Sequence, residues 1–464
     1  MSARRGWPAT WSSVALLVVA RAAPALAQLP PAPPPPAEAL APAEPDEAGD
    51  DASEASLVEQ QIRQNEELVA NRRQKLTFAG YVDFGYFATE GNGSGVTQDV
   101  LHTYPGYAGY QWVFPGDLLA PAINSRGEVA DLGDLPGVSR YDAIHSGGAP
   151  GFIVNEVNLR LRATPAPNAI ITTSVNFTPR TGSNFSLGDM LDVDLAQLEW
   201  LPGEAQRTSI FVGKIESVLG IEYRQRKSDQ RFGITPSLIA RYTTGQSVGA
   251  KLFYRLQLAP LWSALSINLA ATNSGTFVDA LQTPDISLTG VPVGSVRLGY
   301  ELNLPRVQVK LGASGMYGVR NDQSDRSSRQ MARGADLRVA LFGIYLNVEA
   351  VMVDEDQGGP KTNDSGQFML ASGFHGRGIY GQLAYALVVD AGPLHKITPY
   401  ARYEQRHAWF EGFTPLTVER TTLGVRVDLW ESLIVKAELI VNRELAGAPN
   451  VANNVETTSV VYSW

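Results

Sequence analysis

The densest run of reactive side chains is ESVLGIEYRQRKSDQRFGITPSLIARYTTGQ, residues 216–246. Here Arg224, Arg226, Lys227, Arg231 and Arg241 stand among Glu216, Glu222 and Asp229. Guanidinium and ammonium groups so closely spaced can hold or steer anions through charge-assisted hydrogen bonds. The other reading of the same run is a solvated loop whose charges pair among themselves. The five histidines, His102, His145, His375, His395 and His407, are scattered, and none belongs to a recognisable serine constellation. The chain has no cysteine. It lacks an HExxH helix, a Walker-type loop and a GxGxxG turn after a strand. Neither catalysis nor a metal or cofactor is expected from these residues.

The elements that must position the basic run are written in period two. In VQVKLGASG, Val307, Val309, Leu311 and Ala313 fall on one face and Gln308, Lys310, Gly312 and Ser314 on the other. VNLRLRA sets Val157, Leu159 and Leu161 against Asn158, Arg160 and Arg162. LGVRVDLW and VKAELIVN repeat the pattern over residues 423–430 and 435–442. About 16 such segments of roughly ten residues follow one another, the length of a tilted strand crossing a bilayer. Short turns (164–169, 201–206, 304–306, 341–343) alternate with long polar connections (89–150, 216–246, 273–292, 319–334, 355–375). Short connections on one side and long ones on the other mark an outer-membrane barrel. No apolar run is long enough for a spanning helix, and in hydrocarbon only helices or closed barrels satisfy their own backbone. The expected fold is all-β: a transmembrane antiparallel β-barrel of about 16 strands over residues 75–464, with a short N-terminal periplasmic helix. Leu191–Trp200 breaks strict parity, which either a bulge there or a misplaced strand boundary would explain.

A barrel this wide encloses water. Its inward face is expected to carry Arg160, Arg162, Lys251, Arg255, Arg297, Lys310, Arg338, Arg402, Arg406, Arg426 and Lys436. Interspersed acids include Asp83, Glu156, Glu301, Asp336, Glu349, Glu404, Asp428 and Glu438. Charges in such numbers cannot line a dry core. The expectation is a water-filled channel for passive diffusion of small hydrophilic solutes or ions. Arg224, Arg226, Lys227 and Arg231 would set an anion preference if residues 216–246 fold inward as a constriction. Two alternatives stay open: a barrel plugged by residues 89–150 that serves as a structural anchor, and an outer-membrane enzyme.

The N-terminus reads as an export signal over residues 1–27. Arg4 and Arg5 precede an apolar stretch from Val14 to Ala20, and Ala25 and Ala27 offer a cleavage site. Residues 28–51 are a Pro/Ala/acid tether, too proline-rich to pack a core. Residues 52–74 carry Val58, Ile62 and Val69 near helical spacing, a periplasmic helix that a coiled coil could stabilise. Residues 28–74 hold ten acids against three bases and the signal three arginines. Of the net charge of −9, about −5 therefore remains for residues 75–464. That balance excludes the basic footprint of a nucleic-acid binder.

The chain ends NNVETTSVVYSW, which places Tyr462 and Trp464 on one face. They are expected in an aromatic girdle at the lipid interface. Tyr81, Tyr86, Trp112, Trp200, Trp262, Tyr300 and Trp430 are candidates for the same belts by their position near strand ends. A terminal aromatic strand also resembles the signal read by the outer-membrane barrel assembly machinery.

Three stretches carry a family resemblance: NEVNLRLRATPAPNAIITTSVNF, QLEWLPGEAQRTSIFVGKIESVLGIEYRQRKSDQRF and RYTTGQSVGAKLF. Together they resemble the phosphate-selective porin O/P type of outer-membrane porin, with Gly213, Gly220, Glu222 and Gly245 at matching positions. The resemblance covers roughly Gly151 to Leu258. It implies 16 strands, a homotrimer, a periplasmic N-terminal helix and passive solute diffusion in the outer membrane of a Gram-negative cell. The implied partners are outer-membrane lipid, the assembly machinery and small hydrophilic solutes.

Overall fold

Alternation makes each segment a strand with one apolar and one polar face, and sixteen such strands close on one another. The computed structural model describes residues 76–90, 130–131, 144–145, 149–177, 191–203, 207–222, 227–243, 245–259, 262–273, 292–321, 327–355, 361–362, 368–369, 374–410, 415–445 and 454–464. The expected signal, tether and helix lie outside the described residues, as does Trp112.

The barrel strands are β1 (Leu76–Thr89), β2 (Gly151–Ala166), β3 (Ala169–Phe177), β4 (Leu191–Trp200), β5 (Thr208–Glu216) and β6 (Gln246–Ala259). They continue with β7 (Ser263–Thr272), β8 (Val293–Leu304), β9 (Val307–Asn321), β10 (Ser327–Leu341) and β11 (Ile344–Glu355). β12 runs Phe374–Tyr385 and resumes over Leu387–Ala391. The last four are β13 (Leu394–Phe410), β14 (Leu416–Leu429), β15 (Leu433–Glu444) and β16 (Val455–Ser463). Each pairs antiparallel with the next, and β16 returns to β1. At that seam Gly80 and Trp464 exchange both backbone hydrogen bonds, at 3.1 and 3.2 Å. Closure leaves the sheet without an edge, which is the condition for standing in hydrocarbon.

Which residues are covered is the reverse of a soluble protein. On β6, Val248, Leu252, Tyr254, Leu256 and Leu258 are exposed outward, while Lys251 and Arg255 face in. Phe78, Phe84, Phe152, Leu298 and Leu423 are likewise exposed, whereas Asp83, Glu349, Glu404 and Lys436 are fully buried inside. A transmembrane barrel shows this inversion. Tyr462 and Trp464 are half exposed on the outer face, their rings 6.2 Å apart. Trp200, Trp262 and Trp430 are exposed as well.

Tyr81 departs from the girdle expectation. It is buried and points inward, where its hydroxyl donates to Glu156 at 2.6 Å. Tyr81 shares parity with inward Asp83, so nearness to a strand end was the weaker guide. The long connection expected over 319–334 is also corrected. β9 and β10 stay in register from Val307↔Leu341 to Asn321↔Ser327, and only 322–326 remain between them. The upper half of β10 carries polar residues on its outward face, which in sequence looks like a loop.

Two bulges re-aim side chains. Between Ser174↔Leu195 and Val175↔Val193 the register skips Asp194, which turns inward and accounts for the broken parity of β4. Between Asp83↔Glu156 and Phe84↔Val154, Asn155 does the same and donates to Asp83 at 2.8 Å.

Candidate functional site

After β5 the chain turns into the barrel. Ser217 N–H donates to Gly245 C=O at 2.9 Å and closes the base of the segment between them. Leu219, Ile234 and Ile239 of the segment are fully buried, as is Ile215 at the end of β5. An added Cβ on Gly378 of β12 would collide with the Ile239 side chain, so wall and segment touch there.

Polar side chains of the wall hold the segment's backbone sector by sector. On β9–β11, Ser314 Oγ accepts from Gly220 N–H at 3.2 Å and Glu349 from Ile221 N–H at 3.0 Å. Arg338 donates to Ile221 C=O at 2.8 Å. Gly220 sits at φ 66°, and a Cβ there would strike the Glu349 carboxylate. On β3–β4, Lys227 is ion-paired with Asp194 and reaches Ser174 at 3.3 Å. On β1, Asp83 accepts from Ser228 Oγ. On β15, Lys436 donates to Ser228 C=O and, at 3.1 Å, to Gly233 C=O.

The densest anchoring is on β13–β15. Glu438 accepts from Ile234 N–H at 2.8 Å, Thr235 N–H at 3.0 Å, Thr235 Oγ1 at 2.8 Å and Tyr400 OH at 2.7 Å. Glu404 is bound by Arg402 at 2.6 Å and Arg420 at 2.9 Å, and it also accepts from Leu238 N–H. Both arginines spend further N–H groups on segment carbonyls: Arg402 on Thr235 at 2.9 Å and Arg420 on Pro236. Arg426 donates to Asp229 C=O at 3.0 Å and Arg231 C=O at 2.8 Å. A buried donor left without its acceptor costs about 1–3 kcal/mol. The wall charges and the segment's backbone thus satisfy one another.

The residues singled out in the sequence separate accordingly. Glu216 belongs to β5, paired with Gln246, rather than to the inward segment. Glu222 is buried and accepts from Ser237 N–H at 2.8 Å. Lys227 and Arg231 are buried. Arg241 lies in α1 (Ala240–Thr243), with its side chain outside the described residues, as are Arg224 and Arg226 altogether. Of the wall cations, Arg338, Arg402, Arg426 and Lys436 hold the segment. Arg297 is buried against Asp336, with one of its two contacts at 2.6 Å. Arg406 is buried. Arg255 and Lys310 flank Glu301 at 2.9 and 3.9 Å. Among the described residues, Arg160, Arg162 and Lys251 make no ion pair; the Lys251 ammonium lies 4.6 Å from the Phe211 ring centre.

Sequence reasoning missed Arg420, Asp194, Tyr400 and Tyr380 as wall groups. Arg420 has the parity of Arg426, so the same count would have found it. Asp194 could not be found that way: the broken parity of Leu191–Trp200 marks an irregularity in the strand, but not which residue it turns inward.

No family model matches the chain, and no curated protein matches it in sequence. Among solved structures it is similar to the outer membrane channel DcaP of Acinetobacter baumannii, with a TM-score of 0.50 and 10% identity, over 84% of this chain and 97% of that one. Salmonella typhi OmpF in complex with daunomycin gives 0.48 and 11%, over 85% and 99%. The anion-selective porin from Comamonas acidovorans gives 0.46 and 8%, over 84% and 99%. The likeness to DcaP is one of fold.

Proposed function

We propose that the chain is an outer-membrane porin: a water-filled channel for passive diffusion of small hydrophilic solutes or ions, narrowed by residues 217–245. The observation that carries this reading is where the inward segment is bonded. Its anchors gather on β9–β11 and on β13 round to β1, with one on β3–β4. No described hydrogen bond ties it to Arg160, Arg162, Lys251 or Arg255. A segment tied to much of the wall of a wide barrel, but not to these cations, narrows the passage and leaves basic side chains facing water and anions. The resemblance to phosphate-selective porins belongs to the same reading, since Arg160, Arg162 and Lys251, which have no ion pair among the described residues, favour anionic solutes.

The channel works as a homotrimer inserted by the barrel assembly machinery. The exposed apolar exterior of β1–β4, with Phe78, Phe152, Leu191 and Val193, offers the contact surface. Single-channel recording in planar bilayers tests the function. Large, steady open events support the porin. Their absence from correctly folded protein overturns it in favour of the second reading, an anchor plugged by residues 89–150, most of which lie outside the described residues.

A further inference from the structure

We propose that the outer face of β10–β15, at the rim away from Trp464, binds the phosphate headgroup of a membrane lipid. The inference rests on the membrane placement above, not on the channel being open. Registered rows across these strands show a sharp change in chemistry. One outward row reads Val339, Leu346, Leu383, Ala401, Leu423 and Leu439, all apolar. The next row up contains Tyr403, the aromatic expected at an interface. One row further, Gln405, Glu419 and Arg443 lie side by side. Above them Arg333, Met352, Arg377, His407 and Thr417 form a single row. Charges on the outer wall directly above an apolar band stand at headgroup level.

The cluster is built rather than incidental. Trp409 is its platform: His375 stacks on it at 4.9 Å, His407 leans against it at 5.1 Å, and the Arg377 guanidinium lies 5.2 Å from its ring centre. Both acids are engaged. Asp354 holds His375 at 2.8 Å and Arg333 at 3.2 Å, and Glu419 accepts from Tyr403 at 2.8 Å and Gln405 at 3.3 Å. No carboxylate among the described residues pairs with Arg377, and Arg377 and Arg443 are exposed. Arg333 is exposed too, two strands from Arg377 in the same row, so their backbones stand about 10 Å apart. Two long side chains at that spacing can converge on one phosphate, which suits bidentate guanidinium recognition. Among the described residues the opposite wall has no such feature: at the same rim, β1–β4 present Tyr86, Phe152, Phe177 and Leu191.

The test is native mass spectrometry of the full chain released from mixed micelles holding phosphatidic acid and phosphatidylcholine in equal amounts. The wild type is expected to retain phosphatidic acid in preference. The triple variant Arg333→Gln/Arg377→Gln/Arg443→Gln should lose that preference by on the order of a hundred-fold, given the weight of each basic residue at a lipid surface. Millimolar inorganic phosphate should not displace the lipid. Trp409→Leu, which keeps every charge, should weaken retention through the lost platform. Heat-modified gel mobility establishes that each variant is a folded barrel. Equal retention by wild type and triple variant, or full displacement by inorganic phosphate, overturns the proposal. Conductance is recorded separately: a silent channel that still selects phosphatidic acid sinks the porin and leaves the lipid site standing.

Discussion

The ammonium of Lys227 closes on the carboxylate of Asp194, and Asp194 reaches the interior only because β4 bulges there. One extra residue in a strand therefore fixes where the inward segment meets the β3–β4 wall. Gln246 at the root of β6 donates to the same carboxylate at 2.6 Å, so the contact ties three elements together.

Asp194→Leu is expected to release this part of the segment. Removing one partner of a buried pair costs about 3–5 kcal/mol, because the other charge is left uncompensated. The sixteen-strand hydrogen bonding is untouched, so the loss is local. Trypsin should cut at Lys227 or Arg231 on the order of a hundred-fold faster, while heat-modified gel mobility stays that of a folded barrel. Lys227→Met combined with Asp194→Leu should restore most of the protection. Unchanged cleavage in the single variant would show that the pair does not anchor the segment.

How much of this was legible in the sequence differs by level. Alternation placed all sixteen strands, because a barrel wall repeats one constraint at every second residue and nothing in its interior overrides it. It also placed Lys436, Glu438 and Arg402 on the inner face. Their partners were not legible. Glu438 binds the backbone of residues 234 and 235, some two hundred positions away, and no local pattern encodes that pairing. The outward cluster of Arg377, His407 and Trp409 was hidden for another reason. Its residues occupy the lipid parity, where a charge reads as an interruption of the strand rather than as its upper end.

Glu438→Ala should loosen the turn around Gly233 to Thr235. Four donors lose their acceptor at once: two backbone N–H groups and the hydroxyls of Thr235 and Tyr400. At about 1–3 kcal/mol for each buried group left unpaired, the sum exceeds what a short segment can absorb in place. Single-channel records are expected to show larger and noisier openings than the wild type. Glu438→Gln, which retains an acceptor oxygen, should fall between the two. Quiet openings of wild-type size in Glu438→Ala would remove this residue from the anchoring set.

Gly220→Ala tests the anchor on β11. The residue sits at φ 66°, where a side chain costs about 1–2 kcal/mol in backbone strain alone. Its Cβ would also displace the Glu349 carboxylate, which accepts from Ile221 N–H. Gly203→Ala is the control: φ there is 82°, but nothing lies near the added atom. Trypsin protection of the segment should drop in Gly220→Ala and hold in Gly203→Ala. Equal behaviour of the two would mean that backbone strain, and not the Glu349 contact, governs the position.

Ion selectivity separates the two sets of cations. Arg160, Arg162 and Lys251 have no ion-paired acid among the described residues, so their field reaches the passage uncancelled. Replacing the three with Gln is expected to move the reversal potential in a potassium chloride gradient toward cations. The shift should shrink between 0.1 M and 1 M salt, as the Debye length falls from about 10 Å to about 3 Å. Replacing Arg224, Arg226, Lys227 and Arg231 with Gln should move it in the same direction, but part of that movement has a different origin. Lys227 is already neutralised, so its removal bares Asp194 and adds a negative charge to the wall. Lys227→Gln with Asp194→Asn cancels that contribution and exposes what the remaining arginines do. If neither set moves the reversal potential, these cations do not select the solute, and the anion preference falls while the open channel stands.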